Sequence, residues 1–452
     1  MDRKIEKELL EKAKLPEKLA PKWHKYYKGK IEVIPKCVIR SLEDFSIWYT
    51  PGVAKPCLEI KDNPDKAYDY TNKWNSVAIV TDGSRTLGLG DIGPLAALPV
   101  MEGKALLFKY LGGVDAFPLV INEKDPKRFV EIVKAVSPSF GGINLEDLAN
   151  PKCFYILDEL RNSLEIPIWH DDQQGTATAT LAALLGALKL VGKRIDEINI
   201  SLIGVGAANV ATIRLLIAAG ANPKKMYVVD SKGILHPERK DLEEKKNVNP
   251  YKWELCLKTN GERRKGGMAE AIKGTDVLIA ASKPGPNVIK KEWIKTMNDD
   301  AIVFLEANPI PEMWPWDAKE AGARVVGTGR SDFPNQVNNS LVFPAVFRGV
   351  LDVRARTITD GMAIAAAQAL ADYAEKKGLH EDYVIPNMTE KDVFPEVATA
   401  VALKAIEQGV ARLKLAEWEI YEKAAWMITS TQRKIKRLME LGFIKSPPEE
   451  EE

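Results

Sequence analysis

The segment INISLIGVGAAN (198–209) constrains this chain more than any other. An apolar run of strand length breaks at Gly204-Val205-Gly206 and resumes as AANVATIRLLIAAGA, whose spacing is helical and which Gly220 is placed to end. Strand, glycine turn and helix in that order open a dinucleotide-binding unit. Gly204 permits the tight turn, and Gly206 lets a pyrophosphate approach the backbone. Ala207 and Ala208 begin a helix whose unpaired N–H groups favour anions. The third fingerprint position holds Asn209 instead of glycine, so the match is incomplete. The next strand, MYVVD, ends in Asp230 about 20 residues on, where a carboxylate receives a ribose 2′-hydroxyl and favours NAD. Lys232 follows two residues later and suits a 2′-phosphate, so NADP stays open. A glycine turn without a ligand is the plainer alternative.

Strand-length apolar runs continue at DVLIAAS (276–282), AIVFLEAN (301–308) and ARVVGTG (323–329). They predict a Rossmann-like, doubly wound parallel sheet that binds NAD or NADP across residues 176–375. A second α/β region precedes it over 1–175, with strands at VAIV (77–80), FPLVIN (117–122) and IPIW (166–169). Helices are predicted near 126–135 and 151–163. Residues 94–103 read as helix and ALLFKY (105–110) as strand. TATATLAALLGALKLVG (176–192) reads as a long apolar helix joining the two regions, and 233–267 as a polar surface excursion. Residues 376–446 read as a C-terminal helical segment packing on the body, and 447–452 as a disordered acidic tail.

A chain of 452 residues exceeds one hydrophobic core, so two large domains are the default. With 45% hydrophobic and 28% charged residues it is globular. Its 64 basic and 63 acidic side chains leave a net charge of +1, which argues against a nucleic-acid partner. The four cysteines, Cys37, Cys57, Cys153 and Cys256, form no Cys-x-x-Cys pair and suit a reducing compartment. The charged N-terminus lacks the apolar core of a signal peptide, and no run of 18 apolar residues calls for a membrane. A cytoplasmic location is the expectation.

Glu146, Asp147 and Asp172 stand at predicted loop and strand ends, which gather at the carboxyl edge of a parallel sheet. Three oxygen donors without cysteine or histidine suit a hard cation, Mg²⁺ or Mn²⁺. On this spacing alone, a surface acidic pair or a helix cap is the plainer reading of Glu146-Asp147. Lys104 abuts an apolar run, where desolvation lowers a lysine's pKa and makes it a base, although a snorkelling side chain fits the same context. Tyr49 precedes the turn Pro51-Gly52 and reads as packing or chemistry. Arg85, in DGSRTLGLG, could clamp a carboxylate or stay solvated. Asn308 and Asn338 follow β segments of the second region and could hold a substrate carboxylate or cap turns. His170 borders the acidic pair, and no His-x-x-x-His spacing accompanies it, so it is read as packing.

In this order, YTPGVA (49–54), TDGSRTLGLGDIG (81–93), EGKALLFK (102–109), LEDL (145–148), HDDQQGTA (170–177), GVGAAN (204–209), EANPIPE (306–312) and NNSLVFPAV (338–346) resemble the malic enzymes, in their short bacterial and archaeal form. The resemblance implies oxidative decarboxylation of L-malate to pyruvate with NAD or NADP, a divalent metal, and a homodimer or higher homo-oligomer. By motif, Lys104 matches the general base and Tyr49 the general acid. Glu146, Asp147 and Asp172 match the metal ligands, and Arg85, Asn308 and Asn338 the substrate contacts. Asp171, beside a ligand, is expected to hold Lys104 by a charged hydrogen bond. Gln174 stands where relatives often have histidine. A metal-dependent oxaloacetate decarboxylase would use the same carboxylates, but GVGAAN and Asp230 would be idle. An amino-acid dehydrogenase would share the two-domain plan without needing the carboxylates. A catalytically silent binding protein would need neither the tyrosine nor the lysine.

Overall fold

The computed structural model describes residues 3–330 and 332–448, with side chains from residue 14 onward. Of the predicted acidic tail, 447–452, the acidic residues 449–452 lie outside the described residues. Four short strands form the first sheet: β1 (Ser76–Thr81), β2 (Asp115–Val120), β3 (Gly142–Leu145) and β4 (Ile168–His170). Their order is β2-β1-β3-β4, and every pair is parallel. Val77, Ala78, Ile79 and Val80 are fully buried, so β1 reads as one apolar run without alternation, as a strand covered on both faces must. The register sets Leu145 opposite His170. The residues that follow each strand, Glu146-Asp147 and Asp171-Asp172, therefore leave the sheet side by side.

Residues 105–110 are not a strand. One helix runs over Gly93–Gly112, through Pro99, and buries Ala97, Met101, Lys104, Ala105, Phe108 and Leu111. That spacing follows the helical period, but the intervening residues are also largely apolar, and a continuous apolar run cannot be told from a buried strand by periodicity. The change matters because it places Lys104 within a helix and not ahead of a strand.

The second sheet has the order β10-β9-β8-β5-β6-β7. Its strands are β5 (Ile200–Ile203), β6 (Met226–Asp230), β7 (Gly233–Ile234), β8 (Val277–Ala280), β9 (Ile302–Leu305) and β10 (Val325–Thr328), and only β7 is antiparallel. The chain builds outward from β5 through β6, then returns to place β8 on the other flank of β5. The carboxyl ends of β5 and β8 thus border the crevice where such sheets bind ligands. Gly204 has φ +104°, and a Cβ there would lie 2.4 Å from the Ala281 carbonyl, so only glycine lets the two loops meet.

The predicted connecting helix spans Thr176–Val191, and 171–191 is long and apolar enough for a membrane span. It is instead mostly buried, packed against the Asp360–Lys377 and Ala207–Ala218 helices. The 233–267 segment is more than a surface excursion. Leu255 and Cys256 on its Pro250–Lys258 helix are buried, and Tyr251 packs on Phe154 at 4.5 Å and donates to Asp158. It joins the two sheet regions. The Phe343–Asp352 helix returns to the first region, where Phe343 and Phe347 pack on Phe108.

Candidate active site

The carboxylates after β3 and β4 converge. Oxygens of Glu146, Asp147 and Asp172 all lie within 4.8 Å of one another. Asp147 adopts φ +55°, a left-handed conformation uncommon for a residue with a side chain and typical of functional sites. Its backbone N–H donates to Asp172 Oδ2 at 2.8 Å, and its carbonyl accepts from the Arg85 N–H, which ties the glycine-rich 82–93 loop to the site. Asp147 Oδ2 is buried and has no hydrogen-bond partner. An orphaned anionic oxygen beside two more carboxylates suits a hard divalent cation.

Lys104 reaches these groups from the Gly93–Gly112 helix. Its Nζ is 2.8 Å from Glu146 Oε1, donates to Asp171 Oδ2, and lies 4.5 Å from the Phe343 ring centroid. Trp169 Nε1 holds the other Asp171 oxygen at 2.9 Å, and Asn144 Nδ2 holds Glu146 Oε2 at 2.9 Å. The expected bond between Lys104 and Asp171 is therefore present. The expected lowering of the lysine pKa is not. Burial opposes its charge, but Asp171, Glu146 and Asp172 outweigh burial and hold Lys104 above the ordinary lysine range. Negative charge is in excess here. Burial, reinforced by Asp172, pushes Asp147 up to about 7. Glu146 and Asp171 are raised chiefly by burial, with Lys104 opposing. A cation among the three carboxylates would compete for the charge that retains the lysine's proton.

His170 is fully buried, and both its ring nitrogens lack partners. Burial pushes its pKa down to about 4, so it is neutral. It stays outside the carboxylate cluster, though its Nδ1 is 3.7 Å from Asp172.

The dinucleotide elements stand across the Thr176–Val191 helix. A Cβ at Gly206 would meet nothing within 4 Å, which leaves open space above the first turn of the Ala207–Ala218 helix. Ala207 and Ala208 supply that turn. Asn209 explains the missing third glycine. It is buried, and its Nδ2 donates to the Ile203 and Gly204 carbonyls at 3.0 Å each, pinning the turn from within the helix. Asp230 ends β6 as expected, but it is not free. Arg239 grips it at 2.8 and 3.1 Å, and Lys252 approaches at 2.5 Å. Burial works against its charge, yet these cations hold Asp230 below the ordinary carboxylate range. A cavity of about 390 Å³ opens beside it, lined in part by Ser231, Lys232, His236 and Arg239. Asn150, just past the carboxylates, donates to the Val205 carbonyl and joins the two halves of the site.

The other expected residues are placed less tightly. Asn338 caps a short turn, with Nδ2 on the Gly329 carbonyl and Oδ1 accepting from the Ser340 N–H. Its neighbour Asn339 has its Cβ 3.0 Å from where a Cβ on Gly175 would stand, in the turn of Asp171 and Asp172. Asn308 is exposed at the second edge. The Asn308 carbonyl would lie 3.2 Å from a Cβ on Gly88, so the two loops meet there. Arg85 is exposed. Tyr49 is 72% exposed, and among the described residues its hydroxyl makes no hydrogen bond and nothing joins it to Lys104. Around it Ile34, Val38, Leu42, Phe45, Ile47 and Trp48 are exposed too. Sequence reasoning missed Asn144, Trp169, Asn150, Arg239 and Lys252, which act as partners of named residues and carry no motif of their own.

Comparison with known proteins accords with this geometry. The description "Malic enzyme, N-terminal domain" matches residues 28–161, and "Malic enzyme, NAD binding domain" matches 173–315 and 322–408. A bifunctional malic/malolactic enzyme of Bacillus subtilis is 49% identical over 88% of this chain and 95% of its own length. An NAD-dependent malic enzyme of Geobacillus stearothermophilus is 48% identical over 85% and 78%. Among solved structures, a malic enzyme from Pyrococcus horikoshii is 55% identical with TM-score 0.88, covering 91% of this chain and 95% of that one. One from Entamoeba histolytica is 48% identical with TM-score 0.94, covering 98% and 92%.

Proposed function

The chain belongs to the malic enzyme family, and from that premise we propose how its residues carry the family's reaction: oxidation and decarboxylation of L-malate to pyruvate and CO₂ with reduction of NAD or NADP. The observation that carries the reading is the pairing of Lys104 with Glu146 and Asp171 inside a buried carboxylate cluster across from the dinucleotide turn. Glu146, Asp147 and Asp172 would hold Mg²⁺ or Mn²⁺. The bound groups supply Lewis acidity at the C2 oxygen and a hydride acceptor at C2.

The chain's own residues do the rest. Lys104, held by Asp171, takes the C2 hydroxyl proton once the carboxylates no longer keep it protonated. Arg85, Asn308 and Asn338 orient the malate carboxylates, Asn308 and Asn338 from the dinucleotide side. The C3–C4 bond then breaks to release CO₂, and Tyr49 protonates C3 of the remaining enol. Gly204, Gly206, Ala207, Ala208, Asn209 and Asp230 seat the cofactor.

Tyr49 makes no contact with Lys104 within the chain, and its exposed apolar surroundings need cover. A homodimer in which a second copy covers this arm supplies the cover and brings a tyrosine to the lysine. Coexpressed Tyr49→Phe and Lys104→Met chains should then recover part of the wild-type activity in mixed dimers, because one of the two sites keeps both groups. Activity no greater than that of Tyr49→Phe alone would remove the shared site. The free cysteines support a cytoplasmic setting. One assay tests the central reading: malate with Mn²⁺ and each cofactor, with and without chelator, following reduced nicotinamide and pyruvate. Pyruvate from oxaloacetate with no cofactor reduction from malate would leave only a lyase.

A further inference from the structure

A second buried carboxyl lies outside the proposed chemistry. Glu306 begins the loop after β9, is only 9% exposed, and has one buried oxygen, Oε2, without a partner. Its Oε1 is 2.6 Å from Thr180 Oγ1 on the Thr176–Val191 helix. The same Thr180 oxygen lies 2.9 Å from the Thr176 carbonyl. A hydroxyl has one proton. If Glu306 were ionised, both neighbours of Thr180 would be acceptors, and one short contact would lack a hydrogen. Both are satisfied only if Thr180 donates to Thr176 and Glu306 donates to Thr180.

The surroundings agree with a neutral acid. Glu312, six residues on, is the charged group that faces Glu306. It is fully buried and already accepts from the Ser282 N–H, the Ser282 hydroxyl and the Ala307 N–H, as a carboxylate does. From the helix Thr180 meets Glu306, with the Thr176 carbonyl behind it, and β8 contributes the Ala280 carbonyl, which accepts the Glu306 N–H. Burial, with Glu312 adding to it, pushes Glu306 up to about 8. Burial raises Glu312 as well, but three donors oppose it there, whereas among the described residues the Glu306 carboxyl has no N–H donor, so the two carboxyls divide the ionised and protonated states between them.

We propose that Glu306 is a positioning residue, a neutral carboxylic acid that latches the helix following Asp172 to the Glu306–Glu312 loop presenting Asn308. The helix belongs to the metal side of the site and the loop to the cofactor side. The Glu306 carbonyl also accepts from Asn308 Nδ2 at 3.4 Å, so the latch and the substrate amide share one residue. The link to catalysis rests on the proposed role of Asn308, while the protonated state of Glu306 stands apart from it.

The test uses the metal-loaded enzyme. Infrared difference spectra of wild type minus Glu306→Gln should show a protonated-carboxyl band at pH 7 that fades by pH 9. If only the protonated form turns over, wild-type kcat/KM for malate should fall about tenfold between pH 7 and pH 9 relative to Glu306→Gln, whose amide keeps a donor. Thr180→Val should move that fall to lower pH, since it removes the oxygen that accepts the Glu306 proton. No carboxyl band at pH 7, or superimposable pH profiles, would overturn the proposal. Asn308→Ala separates the two readings. Unchanged malate KM there would remove Asn308 from substrate binding and leave the infrared result standing.

Discussion

At the ends of β3 and β4 the chain places Glu146, Asp147, Asp171 and Asp172 around a single lysine. At the ends of β5 and β6 it places open backbone and one carboxylate already held by two cations. Both are carboxyl edges of parallel sheets, where the fold puts ligands. The first is short of positive charge and raises the pKa values of Glu146, Asp147 and Asp171. The second is close to balanced and lowers that of Asp230. An edge built for a small cation leaves its negative charge uncompensated. An edge built for a dinucleotide offers N–H groups and a shaped cavity, and its side-chain charges can be satisfied beforehand.

The contrast breaks most visibly at Lys104. Lys104→Met should lower kcat by about 10² to 10⁴, the usual contribution of a general acid or base. NADH binding, read by fluorescence, should be unchanged, because nothing at the second edge depends on that lysine. Near-normal turnover would take Lys104 out of the proton transfer.

Next in size is the response to pH and metal. In the metal-free protein Asp147 has its pKa raised to about 7, above that of the unfolded chain. Its contribution to stability is complete below the ordinary carboxyl range, about 4, and is lost as pH rises through 7. A divalent cation should cancel that loss. The gain in melting temperature from Mn²⁺ should widen from pH 5 to pH 8, and Asp147→Asn should flatten the metal-free slope. A Mn²⁺ gain constant across that range would mean the excess charge does not serve a cation.

Much of this contrast is legible in the sequence, for unequal reasons. Buried parallel strands announce themselves as apolar runs, and a glycine turn between strand and helix has one common use. The carboxylates could be placed because strand ends gather at one edge whatever the register. The lysine's helix was not legible, since the run after it has too few polar residues to show a period. The pKa of Lys104 was not legible either. Its sign depends on Asp171 and Glu146, which arrive from other strands, whereas burial alone predicts the opposite. Asn209 departs from the fingerprint in sequence, but its amide holds the Ile203 and Gly204 carbonyls, a contact that no motif encodes. Tyr49 carries a motif, but among the described residues its hydroxyl has no hydrogen-bond partner, so proximity to a turn does not tell what it faces.

Asp230 gives the smallest expected effect and the sharpest view of the second edge. As a lone strand-end carboxylate it should favour NAD, by receiving ribose hydroxyls and repelling a 2′-phosphate. Clamped by Arg239 and Lys252, with Lys232 nearby and paired to Asp241 at 3.2 Å, it repels less than its charge suggests. Asp230→Ala removes the hydroxyl acceptor and leaves Arg239 and Lys252 facing the cavity without their anion. A charge-assisted hydrogen bond contributes about 1.5–3 kcal/mol, and 1.4 kcal/mol is a factor of about ten in affinity. Binding of NAD should therefore weaken at least about tenfold, while NADP binding holds or improves and becomes steeply salt-dependent. Equal weakening of both cofactors would mean that Asp230 acts only by ordering Arg239 and Lys252, and that charge balance at this edge serves the fold and not the choice of cofactor.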